Sequence, residues 1–110
     1  MAFVRKKVKT FKWPVEVEEP SNTKPGKFEK SEFTAIFKRV KMSELEGVTD
    51  AESASLLKKV LVGWEGIKDE DGKDVAYSDK TRSQLFDDPY VLRAVINAYT
   101  ESLLGAQAKN

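Results

Sequence analysis

Along residues 11–18 apolar and polar side chains alternate strictly. Phe11, Trp13, Val15 and Val17 fall on one face, and Lys12, Pro14, Glu16 and Glu18 on the other. A period of two marks a half-buried β-strand. Pro14 has no N–H to give a ladder, so this strand is expected at a sheet edge with that position turned outward. Residues 20–26 are rich in Pro, Ser, Asn and Gly and read as a loop. A second run, residues 28–40, sets Phe33, Ala35 and Phe37 on one face with Glu32, Thr34 and Lys38 opposite. The two runs are expected to form an antiparallel hairpin joined by a long, mobile loop. An isolated two-stranded hairpin is marginal in water, so its aromatic face needs a cover, and the rest of the chain supplies helices.

Beyond residue 40 the apolar period lengthens. Met42-Ser43-Glu44-Leu45-Glu46 reads as a short helical turn closed by Gly47. Thr49 is the expected N-cap of the next helix, with Glu52 completing a capping box. Ala54, Leu57, Val60, Leu61 and Trp64 recur at three- and four-residue spacing, an apolar stripe for the core. Lys58 and Lys59 lie near the end of this helix, where its dipole favours cations, and Gly63 is the expected stop. The stretch 60–67, the acidic run 68–74 and Val75-Ala76-Tyr77-Ser78 then form the joint around which the two halves are organised. Asp71-Gly72 signals a tight turn, a small second hairpin between Ile67 and Val75. Ser78 caps a short helix reaching Phe86. Asp88 caps the last helix and Pro89 occupies its first position. That helix, residues 89–104, presents Leu92, Val95, Ile96, Tyr99 and Leu103 inward and Arg93, Asn97 and Glu101 outward. Gly105 ends it, and residues 106–110 read as a frayed polar tail.

The expected fold is therefore α+β: an N-terminal antiparallel β-hairpin, residues 6–40, packed on a bundle of three to four short helices, residues 41–105. At 110 residues the chain fits a single domain. Such a domain buries roughly two-thirds of its unfolded surface, enough for one core without staples. Charged residues make up 34% of the chain, yet the net charge is only +1, which gives no global attraction to nucleic acid or anionic lipid. No apolar run approaches the ~20 residues of a membrane span. The start of the chain carries charges without the apolar core of a signal peptide, so a cytoplasmic location is expected.

Composition also narrows the chemistry. There is no Cys and no His, which removes thiol catalysis, disulfides, thiolate metal sites and the commonest general base. The acidic turn Asp69-Glu70-Asp71-Gly72-Lys73-Asp74 invites a calcium reading. With Gly72 at position six of such a loop, Ile67 takes position one and Ser78 position twelve, and neither supplies the ligand required there. Ser and Thr lack a His partner, a Ser-x-x-Lys nucleophile pair is not expected, phosphate-cradling glycine loops are absent, and the carboxylates sit in turns, at caps or on polar faces. The expectation is a non-enzyme with no metal and no cofactor. Arg5, Lys6, Lys7, Lys9 and Lys12, interleaved with Phe11 and Trp13, leave a small nucleic-acid-binding protein as one alternative. The plainer account is a wet edge strand whose lysines discourage edge-to-edge pairing.

Gly63-Trp64, the Asp71-Gly72 turn, Tyr77-Ser78, and the closing amphipathic helix with its Lys109-Asn110 end follow the aromatic strand and a strand ending in Phe37-Lys38. In this order and spacing, over most of the chain, the sequence resembles the tail assembly chaperones of long-tailed bacteriophages and their prophage relatives. Residues 20–27 match least well. The resemblance implies a protein that binds the long, largely helical tape measure protein, keeps it soluble, helps recruit tail tube subunits, and leaves before the virion is complete. It further implies self-association, residence in the host bacterial cytoplasm, and, in many members, a longer frameshifted form, with which an Ala108-Lys109-Asn110 ending is compatible. The contact residues expected on this basis are Phe11, Trp13, Trp64, Tyr77, Tyr90 and Tyr99, drawn from the aromatic strand face, the joint and the last helix. A structural tail component, of the terminator or connector type, is the other alternative.

Overall fold

A strand whose odd positions are apolar and even positions polar buries one face only, and the second strand has the same parity. In the computed structural model, which describes residues 2–4, 9–45 and 50–104, these become β1 (Thr10–Pro20) and β2 (Phe28–Lys38). They pair antiparallel from Thr10 opposite Lys38 to Pro20 opposite Phe28. Because 10 and 38 have the same parity, every odd residue of β1 faces an odd residue of β2. Val15, Val17, Phe33, Ala35 and Phe37 thus share one buried face. The loop between the strands, residues 21–27, is as long as expected and is organised by hydrogen bonds: Ser21 N–H donates to Lys27 O at 2.8 Å, and Ser21 Oγ accepts from the backbone of Thr23 and Lys24.

The sheet has a third strand that the expected hairpin lacks. Helix α1 (Met42–Leu45) and helix α2 (Asp50–Val60) are followed directly by β3 (Leu61–Glu65), and the strand order is β1-β2-β3. The helix therefore stops at Val60 rather than running into Gly63. Val60-Leu61-Val62 satisfies helical and extended patterns equally well by apolar spacing. The open side of β2 decides the matter, because an unpaired central strand would leave a row of backbone groups without partners. Trp64 lies opposite Ala35 and Gly63 opposite Ile36, while Leu61 pairs with Phe37, so the register skips Val62. Gly63 lies within the strand rather than stopping a helix, close against Ile36: a Cβ there would stand 3.2 Å from Ile36 Cδ1.

After β3 the chain makes the expected small turn. Val75 N–H donates to Ile67 O, Lys68 and Asp74 form a bridge, and Asp69 Oδ1 accepts from the backbone of Asp71 and Lys73. Gly72 adopts φ +79°, the left-handed conformation that favours glycine. Helix α3 (Asp79–Phe86) starts at Ser78, which forms a reciprocal capping box with Thr81. Helix α4 (Pro89–Leu104) starts as expected, with Tyr90 N–H donating to Asp88 Oδ1 at 2.9 Å.

The face that α4 buries is rotated from the expected one. Val91, Ala94, Val95, Ala98 and Tyr99 are buried, Leu92 and Ile96 are half-buried, and Leu103 is 52% exposed. The two alanines let the helix approach β1 closely, so small side chains occupy the middle of the contact and larger ones flank it. The described helices are thus α1–α4, two before β3 and two after it. The caps and stops expected at Gly47, Thr49 and Gly105, the side chains of Glu52 and Ala54, the basic residues Arg5, Lys6 and Lys7, and the tail 106–110 lie outside the described residues.

One core joins the layers. Phe37, fully buried, has Phe11 at 5.7 Å and the Tyr99 ring edge-on at 5.0 Å between centroids. Truncating it removes contacts to both strand and helix, so Phe37→Ala should destabilise by about 3–5 kcal/mol. Gly63→Val, which forces Ile36 aside, should destabilise by about 1–3 kcal/mol. Urea unfolding monitored by tryptophan fluorescence measures both. A wild-type midpoint for Gly63→Val would show that the Ile36 side chain turns aside without cost.

Candidate functional site

The aromatic residues expected at a contact face fall in three places. Phe11 and Trp13 come from β1, where odd parity points them to the helical side, but near the strand start the cover is incomplete and both remain half-buried. Together with Val40 after β2 and Tyr99, Ser102 and Leu103 of α4 they line an open groove of about 520 Å³, rimmed by Lys12 and Arg39. Leu103 and Leu104 continue this apolar surface at the end of α4, both more than half exposed. Tyr99 contributes its ring to the groove from below but is itself 5% exposed, held against Phe37.

Trp64 and Tyr77 are not in this groove. Trp64 is 8% exposed; its indole N–H donates to Val75 O at 2.8 Å, and its ring meets Tyr77 edge-on at 4.9 Å. Tyr77 donates its hydroxyl to Leu61 O at 2.6 Å and accepts from Arg82 at 2.9 Å. The pair closes the joint by tying residues 75–77 onto β3 across the acidic turn, with both polar tips satisfied. Their aromaticity serves packing, and Trp64 presents almost no surface to a partner.

Tyr90, 41% exposed, stands in a second groove of about 610 Å³. This groove runs between β1 and α4 and is lined by Pro14, Glu16, Glu18, Glu32, Arg93, Asn97 and Glu101, with Ala94 and Ala98 on the α4 side and Phe28 at the hairpin end. Its strand edge is the one Pro14 implies, but its alanines give no signal by apolar spacing.

Five charged residues meet in ion pairs on the solvent face of the sheet. Lys12 reaches over β2 to Glu65 at 2.8 Å, and Lys30 lies 3.6 Å from Glu16 and 3.5 Å from Glu18. The two carboxylates hold the Lys30 ammonium above its usual range, Glu16 first. In the acidic turn, Asp69 is occupied by backbone N–H groups, and among the described residues no three acidic side chains converge as metal ligands would. The expectation of no Ser–Lys nucleophile pair is wrong on spacing: Ser55 and Lys58 form one, both exposed on α2, and Ser21 and Lys24 form another in the loop after β1, where Ser21 Oγ is taken up by the backbone of Thr23 and Lys24 and by Glu29; none of the four lines either groove. No described helix is long and apolar enough to cross a membrane.

No protein-family model, curated protein or solved structure matches the chain.

Tyr77→Phe should destabilise by about 1–3 kcal/mol, since it leaves Leu61 O and the Arg82 guanidinium without their shared partner. Burial, with a smaller contribution from Glu44, raises the Tyr99 phenol above its ordinary value of 10.0. The folded chain thus prefers the neutral phenol more than the unfolded chain does. Its contribution is whole below pH 10.0 and declines as pH rises through the folded value. Unfolding midpoints compared between pH ~9 and ~11 should fall less in Tyr99→Phe than in the wild type; equal losses would place the Tyr99 hydroxyl in water.

Proposed function

We propose that the protein is a non-enzymatic assembly chaperone of the phage tail class, which holds an apolar helical stripe of the tape measure protein in the groove between the start of β1 and the end of α4. The observation that carries this reading is the groove itself: Phe11, Trp13, Val40, Tyr99 and Leu103 converge on one open surface, with Leu103 and Leu104 exposed beside it. An open apolar trough suits an amphipathic helix, whose apolar residues at three- and four-residue spacing enter the trough while an acidic flank meets Arg39. The order of sequence motifs shared with tail assembly chaperones supports the same assignment and supplies the client. Recruitment of tail tube subunits, self-association and residence in the bacterial cytoplasm belong to the proposal on that ground.

The test is co-purification of the tagged chain with the tape measure and tail tube proteins of the same phage or prophage. Retention of either supports the proposal, and Phe11→Ala with Trp13→Ala should reduce retention on the order of tenfold or more, as expected for adjacent aromatic anchors. Retention of neither removes it. Mass spectrometry of purified virions separates the structural alternative: a terminator or connector subunit stays in the particle, whereas a chaperone is absent.

A further inference from the structure

The second groove has properties that the apolar trough lacks. Among the described residues β1 is an edge strand, paired with β2 alone. Lys9 O accepts from Arg39 N–H, so the backbone groups of odd residues point toward β2. In an antiparallel ladder those of the even residues then point away. Lys12, Glu16 and Glu18 therefore offer both donor and acceptor to the free side, and Pro14 offers its carbonyl. Facing this edge, Tyr90, Arg93, Asn97 and Glu101 follow one another at three- and four-residue spacing along α4, one flank of the helix. The lining next to them is only Ala94 and Ala98, so a backbone can approach without displacing a large side chain.

Charge selects among strands that would fit there. Glu16, Glu18, Glu32 and Glu101 line the groove against the single cation Arg93. Lys30 is shared between Glu16 and Glu18 at 3.6 and 3.5 Å, and all three side chains are more than half exposed. Phe28, 63% exposed, and Tyr90 supply apolar ground at one end.

We propose that this groove binds an extended, lysine- or arginine-bearing peptide segment of a partner protein, added as a fourth strand on the free edge of β1 and flanked by α4. Main-chain hydrogen bonds to Lys12, Glu16 and Glu18 hold the segment, and the carboxylates select basic side chains at alternate positions. Pro14 removes one donor in the middle of the edge, which keeps the strand from pairing with unselected chains. The site adjoins the apolar trough at Lys12 but does not rest on the client proposed there.

The probe is a fluorescein-labelled peptide of alternating lysine and valine, seven residues long, titrated into the full chain and followed by anisotropy, with amide NMR shifts as a second readout. Saturable binding that perturbs the amides of Lys12, Glu16 and Glu18 together with Tyr90, Arg93 and Asn97 is expected. A peptide with the lysines replaced by glutamates should not bind. Methylating the peptide's backbone nitrogens on the strand-facing side should weaken binding by about tenfold or more, since strand addition rests on main-chain bonds. The double variant Glu16→Lys, Glu18→Lys changes only exposed side chains and should weaken binding by about tenfold, with an unchanged unfolding midpoint as the control for folding. Equal affinity for a block-scrambled peptide of the same composition, or for the methylated one, would reduce the effect to general charge attraction and overturn the proposal. So would a peptide-free dimer in which the β1 edge amides are already protected from exchange.

Discussion

Burial of the Phe37 ring between Phe11 and Tyr99 is the constraint on which the architecture turns. β2 is the central strand, and its odd face must be covered along the length that carries Phe33, Ala35 and Phe37. α4 provides that cover through β1, and Tyr99 reaches past β1 to the Phe37 ring itself. Once this contact is made, the helix can lie only where Ala94 and Ala98 meet the strand, because larger side chains in those places would hold it off. The exposed grooves are consequences of that placement. One opens where the cover ends, at Phe11 and Trp13, and the other where the helix flank passes the free edge of β1.

The joint between the halves works by a different principle. β3 contributes five residues to the sheet, and an outer strand so short gains little from its own hydrogen bonds. The indole N–H of Trp64 and the hydroxyl of Tyr77 cross the acidic turn and fasten the following segment to the strand that precedes it. This arrangement lets 68–74 remain a solvated, highly charged turn without loosening the sheet. It also explains why two of the most conspicuous aromatic residues of the chain serve the fold.

The solvent face of the sheet is carried by exposed ion pairs, each of small energetic weight. Their significance lies in distribution. Lys12 and Glu65 neutralise each other beside the apolar trough, whereas Glu16, Glu18 and Glu32 outnumber their cations toward the hairpin end. A chain of nearly zero net charge thus presents two surfaces of distinct character, one apolar with Arg39 at its margin and one acidic along an open backbone edge. A chaperone reading makes use of the first, and strand addition of the second.

Strand alternation in residues 11–18 and 33–37, the edge position implied by Pro14, the Asp71-Gly72 turn, and the caps at Ser78 and Asp88 are all legible in the sequence. Each depends on residues a few positions apart, so local chemistry specifies it. Tertiary structure decided that residues 61–65 are a strand, since helix and strand accommodate Leu61-Val62-Gly63 alike until the open side of β2 is present to pair with. It also decided which stripe of α4 is buried, because alanines gain their value only from the closeness of a neighbour that linear spacing does not reveal. Among the six aromatic residues expected at a contact face, only assembly separated Phe11, Trp13, Tyr90 and Tyr99, which line grooves, from Trp64 and Tyr77, whose rings fasten one segment to another; Tyr99 does both, lining a groove while packing on Phe37. An aromatic side chain suits a core and an interface equally well, and what surrounds it settles which it becomes.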